Sequence, residues 1–410
     1  MKKPPINVAL VGVGGYGQTH LQSLRNFEIE GLVRLVAVAD PSLDGSATDA
    51  SEFLANGVRT YTDYRELFSR ENDLHLSVIV APIPLHMDMV SAALKTGSRI
   101  YLEKPPVPTI QQWRKLVELD VDQRVAVGFQ MIANRHIRTL REWIENGSLG
   151  DVQTISFGGL SPRGTGYFHR AAWAGKVLLG DEPVFDGPAT NAMSHVLNNV
   201  LFFAAASTNA VTAVPEMVTG EFYRARHDIE SYDLVSTSGL FANGIRFVGT
   251  LGHCCATPVP FEIRVSGSRG SAWLSEDGGR LSSDTGLPEL HDPKAGAAAV
   301  ATHYRQTIEW AAGRLPAPVV SLRDTEGFMR TVNTALVSSG AIHEIPSEAS
   351  QFQCANSVQA VSGIEYVVRE CIRNGTPLST SGLTWTKPGL PTRAREVENV
   401  DLARFVSGRA

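Results

Sequence analysis

Residues 8–20 read VALVGVGGYGQTH, and the fold of the first part of the chain turns on them. An apolar run, Ile6–Val11, meets glycines at 12, 14 and 17, the spacing G-x-G-x-x-G, and a segment with helical periodicity follows. Each glycine has its own reason. Gly12 permits a tight turn out of a strand, Gly14 lets a pyrophosphate approach the backbone, and Gly17 lets helix and strand pack closely. With Val13, Gly15 and Tyr16 they form a loop that opens a helix. The helix N-terminus offers free N–H groups and a positive dipole end to the phosphates. The spacing alone is weak, because glycine is common, but the strand before it and the helix after it supply the context. Asp40 closes a second apolar run, 35–39, and follows Gly17 by 23 residues, near the spacing of ~20 for the acid that takes the ribose hydroxyls. A carboxylate there repels a 2′-phosphate, so the cofactor reads as NAD rather than NADP.

Strand and helix alternate onward to residue 127, with apolar runs at 76–81, 100–102 and 124–127 and a helical period over 86–95. Near-continuous apolar strands are covered on both faces, which predicts a parallel sheet. In open parallel sheets, ligands bind beyond the carboxyl ends of the strands. Ala81, Pro82, Glu103, Lys104 and Gln130 fall at such ends. Pro105 and Pro106 hold the chain extended as it leaves the sheet, which aims Lys104 at the crevice where a nicotinamide lies. Beyond 127 the pattern changes. A β-rich section, 151–275, predicts antiparallel pairing, and helices are predicted over 137–146, 190–203 and 357–373, the last started by Asn356 or Ser357. The reading is an α/β chain with two domains. Residues 1–127 form an NAD(P)-binding Rossmann domain, a doubly wound parallel sheet. Residues 128–410 form an α+β substrate-binding and oligomerisation domain with a large, mostly antiparallel open sheet.

The 410 residues carry a formal charge of −5 and no cluster of Lys and Arg, which argues against a nucleic-acid partner. No apolar run reaches the ~18 residues of a membrane span. Lys2 and Lys3 ahead of an apolar stretch faintly resemble a secretory leader, but Pro4-Pro5 interrupts it and no A-x-A pattern follows. The four cysteines lack C-x-x-C spacing, so free thiols in a reducing cytoplasm are expected. No H-x-x-x-H or H-E-x-x-H occurs among the eleven histidines, and no metal is expected. The G-x-S-x-G elbow of a serine hydrolase is absent as well.

Over 190–203, TNAMSHVLNNVLFF, Met193, Val196, Leu197, Val200 and Leu201 make one apolar stripe. Asn191, His195 and Asn198 lie on the opposite face, so His195 faces either water or a cleft. That polar stripe holds no Lys, Arg or Glu, which is unusual for a solvated face. Arg163, Tyr167, Arg170 and Trp173 lie in one polar and aromatic stretch, SPRGTGYFHRAAWAG (161–175), placed to shape a pocket. His253 is a weaker candidate.

Taken together, Gly12–Gly17 with His20, Asp40-Pro41, APIPLH (81–86), Glu103-Lys104-Pro105, GFQ (128–130), GSLGDV (147–152), WAG (173–175) and His195 resemble the Gfo/Idh/MocA oxidoreductase family. The placement of Glu-Lys-Pro is the most specific element. The resemblance implies a two-domain, NAD(P)-dependent enzyme that moves a hydride between nicotinamide and a hydroxyl or carbonyl carbon of a sugar, sugar derivative or cyclitol. It implies that Lys104 contacts the reacting hydroxyl and the nicotinamide ribose, and that His195 accepts the proton. Ala81, Pro82, His86, Glu103, Lys104, Gln130 and Trp173 would join the glycine loop and Asp40 around the cofactor. Lys104, Arg163, Tyr167, Asn191 and His195 would meet the substrate. Subunits would pair through the second-domain sheet as a homodimer or homotetramer. One departure stands out: Asn191 occupies the position, four before the histidine, where many members have an acid. Two other readings stay open, an NAD-assisted glycoside-cleaving or eliminating enzyme and a non-catalytic dinucleotide sensor.

Overall fold

The computed structural model describes residues 4–44 and 50–406, so Lys2 and Lys3 of the leader-like stretch lie outside the described residues. Six strands form the first sheet: β1 (Ile6–Val11), β2 (Val33–Ala39), β3 (Arg59–Tyr61), β4 (Leu76–Ile79), β5 (Arg99–Leu102) and β6 (Val125–Val127). Their order is β3-β2-β1-β4-β5-β6, and every pairing is parallel. The chain winds outward from β1 in both directions, which opens a crevice at the carboxyl ends of β1 and β4. Val8, Leu10 and Val78 are fully buried here, beneath Leu21, Leu24 and Phe27 of the helix Gly17–Ile29. The short strand β3 was not foreseen; three residues, one of them Arg59, carry too little apolar signal.

The chain divides into two compact units. The first runs to Val107 and adds Gln112–Gln130 and Val300–Thr325. Its late segment belongs there because Tyr304 and Ile308 of the helix Ala295–Ala311 enter the core under β1, whereas chain order alone assigns it to the second domain.

The second unit holds β7 (Val152–Leu160), a two-residue hairpin β8 (Leu178–Leu179) and β9 (Glu182–Pro183), and then β10 (Pro215–Arg224), β11 (Leu234–Phe241), β12 (Arg246–Gly252), β13 (Val259–Gly267), β14 (Gly270–Ser275), β15 (Arg280–Ser283), β16 (Leu290–His291) and β17 (Ile342–Glu344). A second hairpin, β18 (Ser350–Gln353) and β19 (Val358–Val361), and the short β20 (Thr392–Arg393) follow. The large sheet is ordered β16-β15-β14-β13-β7-β12-β11-β10-β17, with β20 on β10. Only β7 with β12 and β10 with β17 pair in parallel; the other pairings are antiparallel.

Two helix readings need correction. The segment 357–373 is not one helix: Val358–Val361 pairs with Ser350–Gln353, and the helix is Ile364–Asn374, begun after Gly363 at φ 70°. Ser357, read as a helix start, sits at φ 55° beside the hairpin turn. The segment 190–203 is also shorter as an α-helix, Ser194–Ala204, because a wide turn over Pro188–Ala192 precedes it. Its polar face is only partly solvated: Asn198 is fully buried, whereas Asn191 and His195 are partly exposed.

Candidate functional site

In the first unit the glycine loop is built by steric exclusion. Gly12 has φ +89°, and a Cβ on it would lie 2.0 Å from the Val80 carbonyl oxygen. A Cβ on Gly17 would lie 2.2 Å from the Gly12 oxygen. Gly14 is different: nothing stands nearer to its Cβ position than Asp40 Oδ2, at 3.9 Å. The loop is therefore closed toward the sheet and open above Gly14. Asp40 Oδ2 accepts from the amides of Val13 (2.8 Å) and Gly14 (3.2 Å), while Oδ1 accepts from the Ser42 amide (2.9 Å) and hydroxyl (2.7 Å). Partial burial opposes its ionisation, but these hydrogen bonds outweigh it and hold the carboxyl below its ordinary value. A cavity of about 590 Å³ lies alongside, lined by Gly12, Asp40, Ser42, Ala81, Pro82 and Leu85 among others. A loop that admits only glycine at positions 12 and 17, an ionised acid beside it and a cavity at the strand ends fit the phosphates and ribose of NAD.

Glu103, at the end of β5, is buried and held from several sides. His20 Nε2 and the Tyr101 hydroxyl lie 3.2 and 3.3 Å from its Oε1, and Oε2 accepts from the Lys104 amide at 3.2 Å. His20 Nδ1 in turn lies 2.7 Å from the Tyr304 hydroxyl. The carboxylate thereby fixes the backbone from which the partly exposed Lys104 side chain departs. His86, expected at the cofactor, is fully buried. Its Nδ1 lies 3.0 Å from the Pro105 oxygen and its Nε2 2.9 Å from the Ala81 oxygen. Burial pushes its pKa down against those carbonyls. It braces the Glu-Lys-Pro turn against the end of β4 instead of presenting a ring nitrogen to a ligand. Gln130 Nε2 donates to the Tyr16 hydroxyl at 3.4 Å. Tyr304 escaped the sequence reading, because nothing in its helix marks it as a partner of a residue 284 positions away.

In the second unit, His195 is partly exposed in the first turn of the helix Ser194–Ala204. The preceding wide turn presents Asn191, whose Nδ2 donates to Asp186 Oδ1 at 2.7 Å. Asp186 is 2% exposed, and its Oδ2 accepts from the Gly175 amide at 2.7 Å. An acid thus lies one hydrogen bond from Asn191; Asp186 stands nine residues before His195, a spacing by which the sequence alone sets it aside as a replacement for the family acid. Arg170 reaches the same Oδ2 at 3.8 Å and stacks on Tyr167 and Trp173, 3.7 and 4.7 Å from the ring centroids. Arg163 lies over Tyr167 at 4.6 Å. Tyr167, Arg163, Arg170 and Trp173 therefore form one cluster, with the His253 ring 5.6 Å from that of Tyr167. Burial, helped by the charges of Arg163 and Arg170, pushes His253 down to about 3 despite the Ser161 carbonyl at 3.0 Å. A ring held neutral to that degree is no proton acceptor near neutral pH. Cys254, Cys255 and Cys371 are buried free thiols whose pKa values burial raises. No group of three metal-ligating side chains occurs among the described residues.

Comparison with known proteins bears on both units. The profile of an oxidoreductase family with an NAD-binding Rossmann fold, GFO_IDH_MocA, matches residues 6–131, and that of the GFO/IDH/MocA C-terminal domain matches residues 137–273. Inositol 2-dehydrogenase of Azotobacter vinelandii is 28% identical over 149 residues, which are 36% of this chain and 43% of the relative. The chain thus spans less than half the length of that curated relative. Among solved structures, the WlbA dehydrogenase from Bordetella pertussis in complex with NADH and UDP-GlcNAcA superposes with a TM-score of 0.66 at 18% identity, covering 82% of this chain and 96% of that one. Levoglucosan dehydrogenase in complex with NADH gives 0.66 at 17%, covering 82% and 96%. At these identities the superpositions speak for the fold, and the two profiles together span more than half of the chain. The chain belongs to the GFO/IDH/MocA oxidoreductase family.

Proposed function

We propose that this protein is an NAD-dependent dehydrogenase acting on a CH–OH group of a sugar, sugar derivative or cyclitol. The observation that carries the proposal is the loop at Gly12–Gly17, closed toward the sheet by the Val80 carbonyl, open above Gly14, and flanked by an ionised Asp40. Gly14 and the first amides of the helix Gly17–Ile29 would hold the pyrophosphate, and Asp40 the ribose hydroxyls. NAD bound there supplies a hydride acceptor. The relatives named as inositol 2-dehydrogenase and levoglucosan dehydrogenase support a polyol or sugar as the other reactant.

The chain's own residues do the rest. Lys104 donates to the reacting oxygen and offsets the charge that develops on it, on a backbone fixed by Glu103. His195 takes the hydroxyl proton, a task suited to an imidazole near neutral pH. Asn191 orients a substrate hydroxyl through its amide, and Asp186 fixes the direction of that amide. The free thiols fit a reducing cytoplasm, and the large sheet is the surface through which subunits would pair.

The test is a screen of sugars, sugar acids and cyclitols with NAD and with NADP, read at the nicotinamide absorbance. NADH should form with at least one of them, and NAD should be preferred. NADH binding without oxidation of any compound in the panel would leave a sensor and sink the enzyme reading.

A further inference from the structure

The loop 161–175 holds more positive charge than its neighbours cancel. Arg226 is matched by Asp228, at 2.9 and 2.5 Å. Lys176 has Glu230 at 3.8 Å, and Arg170 has Asp186 at 3.8 Å. Arg163 has no carboxylate within 4 Å among the described residues, and its buried Nε makes no hydrogen bond there. Its guanidinium nevertheless lies over Tyr167, beside that of Arg170. Two like charges on one ring repel each other, and a buried guanidinium nitrogen without an acceptor is costly. The stacking fixes the plane of the guanidinium and so orients its donors before any ligand arrives.

A run of contacts links this charge to the groups assigned to the substrate. Tyr167 touches Arg163 and Arg170, Arg170 reaches Asp186, and Asp186 holds Asn191, one helical turn before His195. Resting on the dehydrogenase reading above, we propose that the substrate carries an anionic group, a carboxylate or a phosphate ester, and that Arg163 receives it. A guanidinium forks onto either oxyanion through two parallel hydrogen bonds. A neutral polyol would leave the charge uncompensated, so the site selects for the acid form of a sugar over its neutral parent. Burial is the main cause of the depressed pKa of His253, and the charges of Arg163 and Arg170 lower it further.

The experiment is calorimetric binding to the NAD-loaded, full-length protein, with D-glucuronate against D-glucose, D-galacturonate against D-galactose, and D-glucose 6-phosphate as a separate arm. The wild type and Arg163→Gln are compared, turnover is followed in parallel, and NADH affinity serves as the check on folding. At least one anion should bind about tenfold or more tightly than its neutral partner, and Arg163→Gln should erase the difference while NADH still binds. Preference confined to uronates identifies a carboxylate, and preference confined to the phosphate identifies an ester. Equal binding of acid and neutral partners overturns the proposal, as does a preference that survives in Arg163→Gln. Anion preference with no NADH from any compound would keep the anion site and discard the dehydrogenase reading.

Discussion

The two units solve recognition in different ways. On the proposed reading the first makes its ligand surface from backbone: a loop closed to side chains at Gly12 and Gly17, strand ends, and one carboxylate held by amides. The second would make its surface from side chains brought together by contact, with Tyr167 beside His253 and Asp186 beside Asn191. Backbone recognition tolerates little change in sequence, because a single Cβ destroys it. Side-chain recognition can be re-tuned residue by residue. On the proposed reading, a chain built this way would keep one cofactor and could change its substrate, and Asn191 belongs to the second unit.

The largest effect that can break this comparison is on turnover. His195→Ala should lower kcat by ~10²–10⁴-fold, the range for a lost general base, with NADH affinity kept. A variant that turns over normally would remove the histidine from the chemistry. Next come the glycines. Gly12→Ala forces a Cβ to within 2.0 Å of a backbone oxygen at φ +89°, so it should cost several kcal/mol of stability and abolish NAD binding. Gly14→Ala should leave the melting temperature within a degree or so, because no neighbour obstructs the new Cβ, yet weaken NAD. If both variants lose stability alike, the open side of the loop is not a ligand surface.

Asp40→Ala should weaken NAD by roughly tenfold, the scale of a charge-assisted hydrogen bond, and narrow the preference over NADP. Fluorescence titration of both cofactors measures it. The remaining effect is on stability against pH. His253 has a folded pKa of about 3, against an ordinary value of 6.5. The unfolded chain therefore binds the proton more tightly between those values. The stability contributed by the neutral ring is complete above pH 6.5 and is lost as pH falls toward 3. Melting temperatures should decline over that window, with a shallower slope in His253→Asn.

How much of this was legible in the sequence follows the same division. The glycine spacing, the strand runs and Asp40 are local signals, and the parallel sheet follows from them. The placement of Tyr304 beside His20 is tertiary, and no periodicity announces it; that of Asp186 beside Asn191 is local but depends on the wide turn at Pro188–Ala192, which no helical period predicts. The polar stripe of Asn191, His195 and Asn198 is visible in the sequence, but Asn198 is buried because the surface facing a helix is decided by its neighbours. His86 shows the converse: a histidine in a recognised motif that proves to be a brace between two strand ends. The hairpin at 350–361 defeated the helix reading because Gly363, in the left-handed region, and not Ser357, starts the helix.

The most direct measurement is a single turnover of the NAD-loaded protein with an accepted sugar substrate and the same substrate deuterated at the reacting carbon. The account predicts stoichiometric NADH, a primary isotope effect on its appearance, and loss of the signal in His195→Ala. Product formed with no net NADH would contradict it and point instead to transient oxidation in the course of glycoside cleavage.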